Sequence, residues 1–365
     1  MKLARPLSGV FFLSCWVFFL TGCAAPNSSQ PESEYVLGTI CSVNLFEAGK
    51  PELYSDVFGR LRELENILSA NREGTDLDMV NQNAGLKPVK VRPELVEVLG
   101  KALVYAEKSG GSFDPSVGPL VKLWGIGTDR AHVPAEGEIR RALDLIDYRE
   151  IEINREEGTV FLKRPGMALD LGAIAKGYAA DELAKLLARK GVERAIIDLG
   201  GNIFALGEKK AAKGPAYYLK NLMPGGKGGE AGDDGSFWRI GIQDPRENRG
   251  SYIGVLRVKN RSVVTSGTYE RFFEEGGRRY HHIFSPESGF PVENGVISVT
   301  IVADESTDAD ALSTSAFVLG WEQGRALIVS VPGAEGIFIF DDLTVRLTPG
   351  LEKDFTITAR EFHLE

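Results

Sequence analysis

The stretch RAIIDLGGNIFALG, residues 194–207, holds two short apolar runs broken by adjacent glycines, Gly200 and Gly201. Runs this short and this rich in Ile, Leu and Phe suit strands, and paired glycines suit the sharp bend between them. GTICSVNLF (38–46) and GVISVTIVA (295–303) are further strands on the same grounds. Helical spacing takes over at 52–68, with Leu53, Val57, Leu61, Leu64 and Leu68, and at 93–108, which opens on Pro93 and carries Leu95, Val98, Leu99, Ala102 and Tyr105. Strands and helices therefore interleave without the regularity of a doubly wound parallel sheet, and the expected fold class is α+β. No fixed-period repeat or linker divides residues 35–365, so they are expected to form one domain, with PGGKGGEAGDDG (224–235) as a mobile surface insertion between strands.

The amino terminus belongs to an address, not to that core. Lys2 and Arg5 precede the apolar run GVFFLSCWVFFL (9–20), which is short for a membrane span and is followed by small residues. Residues 1–22 are thus expected to be a signal peptide. The run ends in LTGC (20–23), which resembles the lipobox of bacterial lipoproteins, so Cys23 is expected to carry the lipid and residues 23–34 to form the lipidated cysteine and its polar tether. The expected location is an exported, membrane-anchored bacterial lipoprotein on the periplasmic face of the inner membrane. With Cys15 removed and Cys23 acylated, Cys41 is the only thiol left, and stability must come from packing without a disulfide. Losing the signal moves the formal net charge from −9 to −11. An acidic chain with no basic stripe argues against nucleic-acid binding.

Three constellations can carry chemistry. In ALDLGAIAKGYAAD (168–181), Ala175, Ala179, Leu183 and Leu186 predict a helix from near Ala173 toward Lys190, with Gly191 as its stop. Gly172 then sits before the unpartnered first-turn amides and Lys176 lies one turn inside, a combination that suits a phosphate or diphosphate. A helix cap with a surface lysine accounts for the same residues. In STDADALSTSAF (306–317), Asp310 and Thr314 share one helical face and offer the hard oxygens that Mg²⁺ takes, while Thr307 and Asp310 also read as a capping box. In YHHIFSPESGFPV (280–292), adjacent strand residues face opposite sides, so at most one of His281 and His282 serves a site. Glycine-punctuated turns in SFDPSVGPLVKLWG (112–125), DLGGN (198–202) and VVTSGTYERFF (263–273) allow close backbone approach to a ligand.

In order, LGT (37–39), FDPSVGPLV (113–121), LDLGAIAKGYAAD (169–181), DLGGN (198–202), TSGTYER (265–271), HHIFSPESGFPV (281–292) and ADALSTSAFVLG (309–320) resemble the ApbE-type flavin transferases. The resemblance implies a T-fold-like α+β core and an enzyme that, with Mg²⁺, moves FMN from FAD to a Thr or Ser of a target protein and releases AMP. It implies metal ligation by the carbonyl of Ala173, the carboxylate of Asp310 and the hydroxyl of Thr314, with the carbonyl of Ser313 a further ligand. It implies FAD contacts at Asp170 and Lys176, and a flavin pocket at Ser112, Phe113, Asp114 and Leu37, the last standing where the family usually has Met. By motif register His282, not His281, is the base. One position departs from the pattern: where the family usually places Tyr after the first helix, this chain has Asn71. Loss of the ring forfeits about 0.5–1.5 kcal/mol of stacking and implies an alternative outcome, an FAD pyrophosphatase giving free FMN and AMP. A flavin-binding lipoprotein without activity is the alternative of another class; it requires FAD binding with no AMP release.

Overall fold

The computed structural model describes residues 30–46, 51–209 and 235–365. The expected signal, the lipidation site Cys23 and nearly all of the 224–235 insertion lie outside those residues. No helix among the described residues is long and apolar enough to cross a membrane.

A nine-stranded sheet forms the centre. Its strands lie side by side in chain order: β1 Glu32–Val36, β2 Thr39–Leu45, β3 Ala195–Leu199, β4 Asn202–Leu206, β5 Arg261–Gly267, β6 Val296–Ala303, β7 Glu335–Phe340, β8 Thr344–Leu347 and β9 His363–Leu364. Neighbours are antiparallel up to the parallel final pair. The Gly200–Gly201 pair links β3 to β4 as a tight hairpin, and both glycines hold positive φ, +70° and +97°.

Strand periodicity gives each face of this sheet its own core. Val264, Ile301 and Phe338 point to one side and Val263, Val302, Ile337 and Ile339 to the other. The first side is covered by four helices: α1 Pro51–Leu68, α2 Pro93–Lys108, α3 Ala175–Arg189 and α4 Ser306–Val329. The second side is covered by a three-stranded sheet of Trp238–Gln243, Tyr252–Val258 and Phe355–Ile357. Cys41 lies in the helical core, where burial first, then the nearby Asp198, pushes its thiol pKa up to about 12. A third cluster, around Trp124, Phe284 and Leu120, packs the 118–143 excursion against the hairpin 272–281; the Trp124 indole donates to Gly289 O at 2.9 Å.

The helix expected from near Ala173 starts at Ala175, because Ile174 is not helical (φ −150°), and it stops at Gly191, whose φ is +76°. α4 is broken at Gly320 (φ +73°), and the Asn294 amide donates to the carbonyl of Phe317 at 2.9 Å.

Candidate active site

Segment 168–172 is held from both sides. The Asn81 side chain pairs with the main chain of Leu169 in both directions, at 3.0 and 2.7 Å, as a neighbouring strand would. Opposite, Asp170 N donates to Pro115 O at 2.9 Å and Gly118 N to Ala168 O at 3.2 Å. Phe113 is buried in that facing loop and Ser112 is half-buried above it. Both oxygens of Asp114 are engaged there: Oδ1 accepts from Ser116 N and Oγ at 2.8 and 2.6 Å, and Oδ2 from Tyr148 N at 3.0 Å. Burial nevertheless raises the Asp114 pKa from its ordinary value. Asp114 therefore shapes the loop instead of presenting a free carboxylate.

Asp170 closes the next turn by accepting Gly172 N at 2.8 Å. Gly172 is exposed, Ala173 is half-buried, and Lys176 Nζ reaches back to Gly172 O at 3.0 Å. Two of the amides at this helix start are already engaged. Ala175 N is taken by Leu171 O at 2.8 Å, and Gly177 N donates to Asp310 Oδ2 at 2.9 Å. An orphan first-turn amide has found a carboxylate from another helix.

That contact joins α3 to α4. Asp310 is 3% exposed, and its Oδ1 faces Lys176 Nζ at 3.9 Å. One turn on, Thr314 Oγ1 lies 3.3 Å from Ser266 Oγ, which also bonds Ser313 Oγ at 2.8 Å. Ser313 Oγ in turn donates to Asp310 O at 2.9 Å. Ser266, on β5 within TSGTYER, was not singled out from the sequence, although the motif around it was. The capping-box reading of Thr307 and Asp310 is replaced: Glu305 is the N-cap residue and makes no side-chain cap. Asp181 of α3 does the capping, accepting Ser306 N, Thr307 N and Thr307 Oγ1 at 2.7, 2.8 and 2.5 Å. Its burial raises the carboxyl pKa.

His281 and His282 face opposite ways. His281 is buried beside Phe317, with Nε2 at 2.9 Å from Val292 O. His282 is partly exposed, and its Nδ1 and main-chain N both lie on Arg271 O, at 3.2 and 3.1 Å. Burial of the ring first, then the positive charges of Arg271, His281 and Lys176, hold its pKa down to about 3.

Leu37 and Gly38 form the two-residue turn between β1 and β2, both with positive φ (+56° and +69°) as primed hairpin turns require. Leu37 N donates to Glu65 Oε1 at 2.9 Å, while Glu65 Oε2 pairs with Arg72. One carboxylate of α1 thus ties the Leu37 turn to the loop that carries Asn71. Asn71 is exposed, with its N–H on Ser69 Oγ at 3.2 Å.

The sequence model described as the ApbE family matches residues 37–338. The chain belongs to the ApbE family. Among its relatives, a protein from Treponema pallidum named FAD:protein FMN transferase is 42% identical over 91% of this chain and 90% of its own length. One of the same name from Klebsiella pneumoniae is 37% identical over 79% of this chain and 82% of its own. An ApbE protein of known structure from Thermotoga maritima superposes with a TM-score of 0.74 at 28% identity, covering 89% of this chain and 100% of its own. The flavin transferase ApbE from Vibrio cholerae gives 0.71 at 25%, covering 92% and 98%. The mixed helix-and-sheet architecture expected from the sequence is thus that of the ApbE flavin transferases.

Proposed function

We propose that this ApbE-family chain transfers FMN from FAD to a Thr or Ser hydroxyl of an exported protein, releasing AMP. The observation that carries the reading is the α3–α4 junction. Gly177 N–H fixes one oxygen of Asp310 and leaves the other facing Lys176 beside Thr314, in a chain whose relatives bear the name FAD:protein FMN transferase.

Asp310 Oδ1, Thr314 Oγ1 and the carbonyl of half-buried Ala173, with the Ser313 carbonyl as a further ligand, are hard oxygens of the kind Mg²⁺ takes. Among the described residues no three or more His, Cys, Asp or Glu gather in one place; a site with one carboxylate and several neutral oxygens has a different composition. Bound there, Mg²⁺ would neutralise diphosphate charge. Lys176 places a cation beside the same carboxylate, and Asp170 holds the Gly172 turn open to the cofactor. Leu37, Ser112 and Phe113 supply apolar and hydroxyl surface to the flavin, with Asp114 fixing the loop beneath them. His282, whose Nδ1–H is committed to Arg271 O, keeps a lone pair on Nε2 and takes the proton from the attacking hydroxyl.

Asn71 favours a second version of the same chemistry. It stands exposed where a ring would cover the cofactor, so water competes with the protein hydroxyl and free FMN forms. The test is incubation of the soluble protein with FAD and Mg²⁺, with and without a Thr-bearing acceptor domain, following AMP, free FMN and covalent flavin. Covalent flavin supports transfer, AMP with free FMN alone supports hydrolysis, and no AMP in either tube refutes both. Asn71→Tyr should move product from free FMN to bound flavin; an unchanged ratio refutes the role given to this position. The LTGC motif supports lipid attachment at Cys23 on the periplasmic face of the inner membrane, checked by loss of labelled palmitate in Cys23→Ser.

A further inference from the structure

One strongly basic side chain at the site has no role in the mechanism above. Arg271 is exposed and makes no ion pair among the described residues, whereas its neighbour Glu270 is taken by Arg249 at 2.8 Å. It is nonetheless held in place. Its carbonyl accepts both the main-chain N–H and the ring Nδ1–H of His282, so guanidinium and imidazole diverge from one pivot. Its side chain runs between two glycines, Gly38 and Gly127. Nη2 lies 3.9 Å from where a Cβ on Gly38 would stand, and Cδ lies 3.6 Å from that of Gly127. Both glycines hold positive φ, +69° and +85°, a conformation that favours glycine, so the guanidinium side chain passes bare backbone at each. Lys176, on α3, bears electrostatically on the same imidazole. A guanidinium laid over bare backbone, without a carboxylate partner in a chain of net charge −9, is matched to an outside anion.

We propose that Arg271 is a phosphate-binding catalytic residue of this site, gripping the diphosphate oxygens next to the phosphorus that receives the hydroxyl, across from Lys176. The inference rests on the FAD-cleaving reading. In that step the hydroxyl oxygen bonds to the FMN phosphorus, its proton passes to His282, and the bond between that phosphorus and the bridging oxygen breaks. The electron pair leaves on AMP. Negative charge grows on the phosphate oxygens as this happens, and a fixed guanidinium stabilises it where water would have to reorganise.

The test compares wild type with Arg271→Met and Arg271→Lys in two assays. The first is calorimetric binding of ADP in EDTA, which reads the diphosphate contact without metal or turnover. Arg271→Met should weaken it at least tenfold, and Lys should recover part of the loss. The second is AMP release from FAD with Mg²⁺, which Arg271→Met should slow on the order of 10²-fold, as removal of one transition-state donor does. Because the side chain is exposed, the melting temperature should hold. ADP affinity and AMP release both within twofold of wild type would overturn the proposal. So would a raised KM for a Thr-bearing acceptor domain, measured as covalent flavin in a third assay, with ADP affinity and AMP release unchanged; that would assign the guanidinium to acceptor recognition. If wild type releases no AMP the FAD-cleaving reading fails, while the ADP comparison still decides whether Arg271 binds a diphosphate.

Discussion

Gly177 is the point at which α3 crosses α4, and Gly177→Ala tests how the site is held together. A Cβ there would stand 2.3 Å from Ser306 O and 2.8 Å from Asp310 Cβ. Ser306 is the first residue of α4 and is pinned by Asp181, so neither contact is relieved by swinging a flexible tip away. The helices must part by about 1 Å to reach ordinary van der Waals separation. Overpacking of this kind costs about 1–3 kcal/mol. The same displacement breaks the bond from Gly177 N–H to Asp310 Oδ2, worth about 1.5–3 kcal/mol for a charged acceptor. Alanine returns about 0.5–1 kcal/mol through helix propensity, which leaves a net loss of about 1.5–5.5 kcal/mol. Gly59, inside α1 with nothing within 4 Å of its would-be Cβ, is the control and should gain about 0.5–1 kcal/mol as alanine. Urea unfolding of both variants gives the stabilities, and AMP release from FAD reads the displaced carboxylate. A Gly177→Ala protein as stable as Gly59→Ala, with wild-type AMP release, would refute the account of the junction.

Asp181→Ala should cost about 2–3 kcal/mol, since it strands the buried donors of Ser306 and Thr307 at the start of α4; a urea midpoint within error of wild type would contradict that. For pH, the folded-state pKa of His282 is depressed from 6.5 to about 3. Stability contributed by this group is therefore complete above pH 6.5 and is lost as pH falls toward 3. The base form persists throughout, so the rate limb belonging to the base should be flat between about pH 5 and 7. A fall in kcat with its midpoint near that of an ordinary imidazole, abolished in His282→Ala, would show the ring to be solvated. Leu37→Gly should stabilise the protein by about 1 kcal/mol by relieving a left-handed leucine, while weakening FAD binding measured by flavin fluorescence. Unchanged FAD affinity would remove the Leu37 side chain from the pocket.

Elements with their own periodicity were legible before any coordinates. The helices read at 52–68 and 93–108 are Pro51–Leu68 and Pro93–Lys108, and the glycine-broken strand pair is β3 and β4. Apolar spacing is a local signal, and so is a Gly pair. What was hidden is the partner of each polar group. Asn81 standing in for a strand beside Leu169, Asp181 capping a helix 125 residues away, and Ser266 meeting Thr314 are all pairings across the fold. Nothing in the local spacing of any of these residues encodes the distance to its partner. The amides at the start of α3 show the consequence. Their vacancy was a sound inference from helix geometry, but it ignored the other helices, and Asp310 had already filled one of them. Asp310 and Thr314 were placed on one face correctly, because four residues along a helix is again a local relation.

The contact between Gly177 and Asp310 spans 133 residues of chain. A growing polypeptide therefore carries the lysine half of the cleft long before the carboxylate half has been made. Any product of early termination or proteolysis that ends ahead of Ser306 lacks Asp310, Ser313 and Thr314 and so holds an incomplete cleft. On the proposed function such fragments cannot cleave FAD, so activity waits on the synthesis of α4.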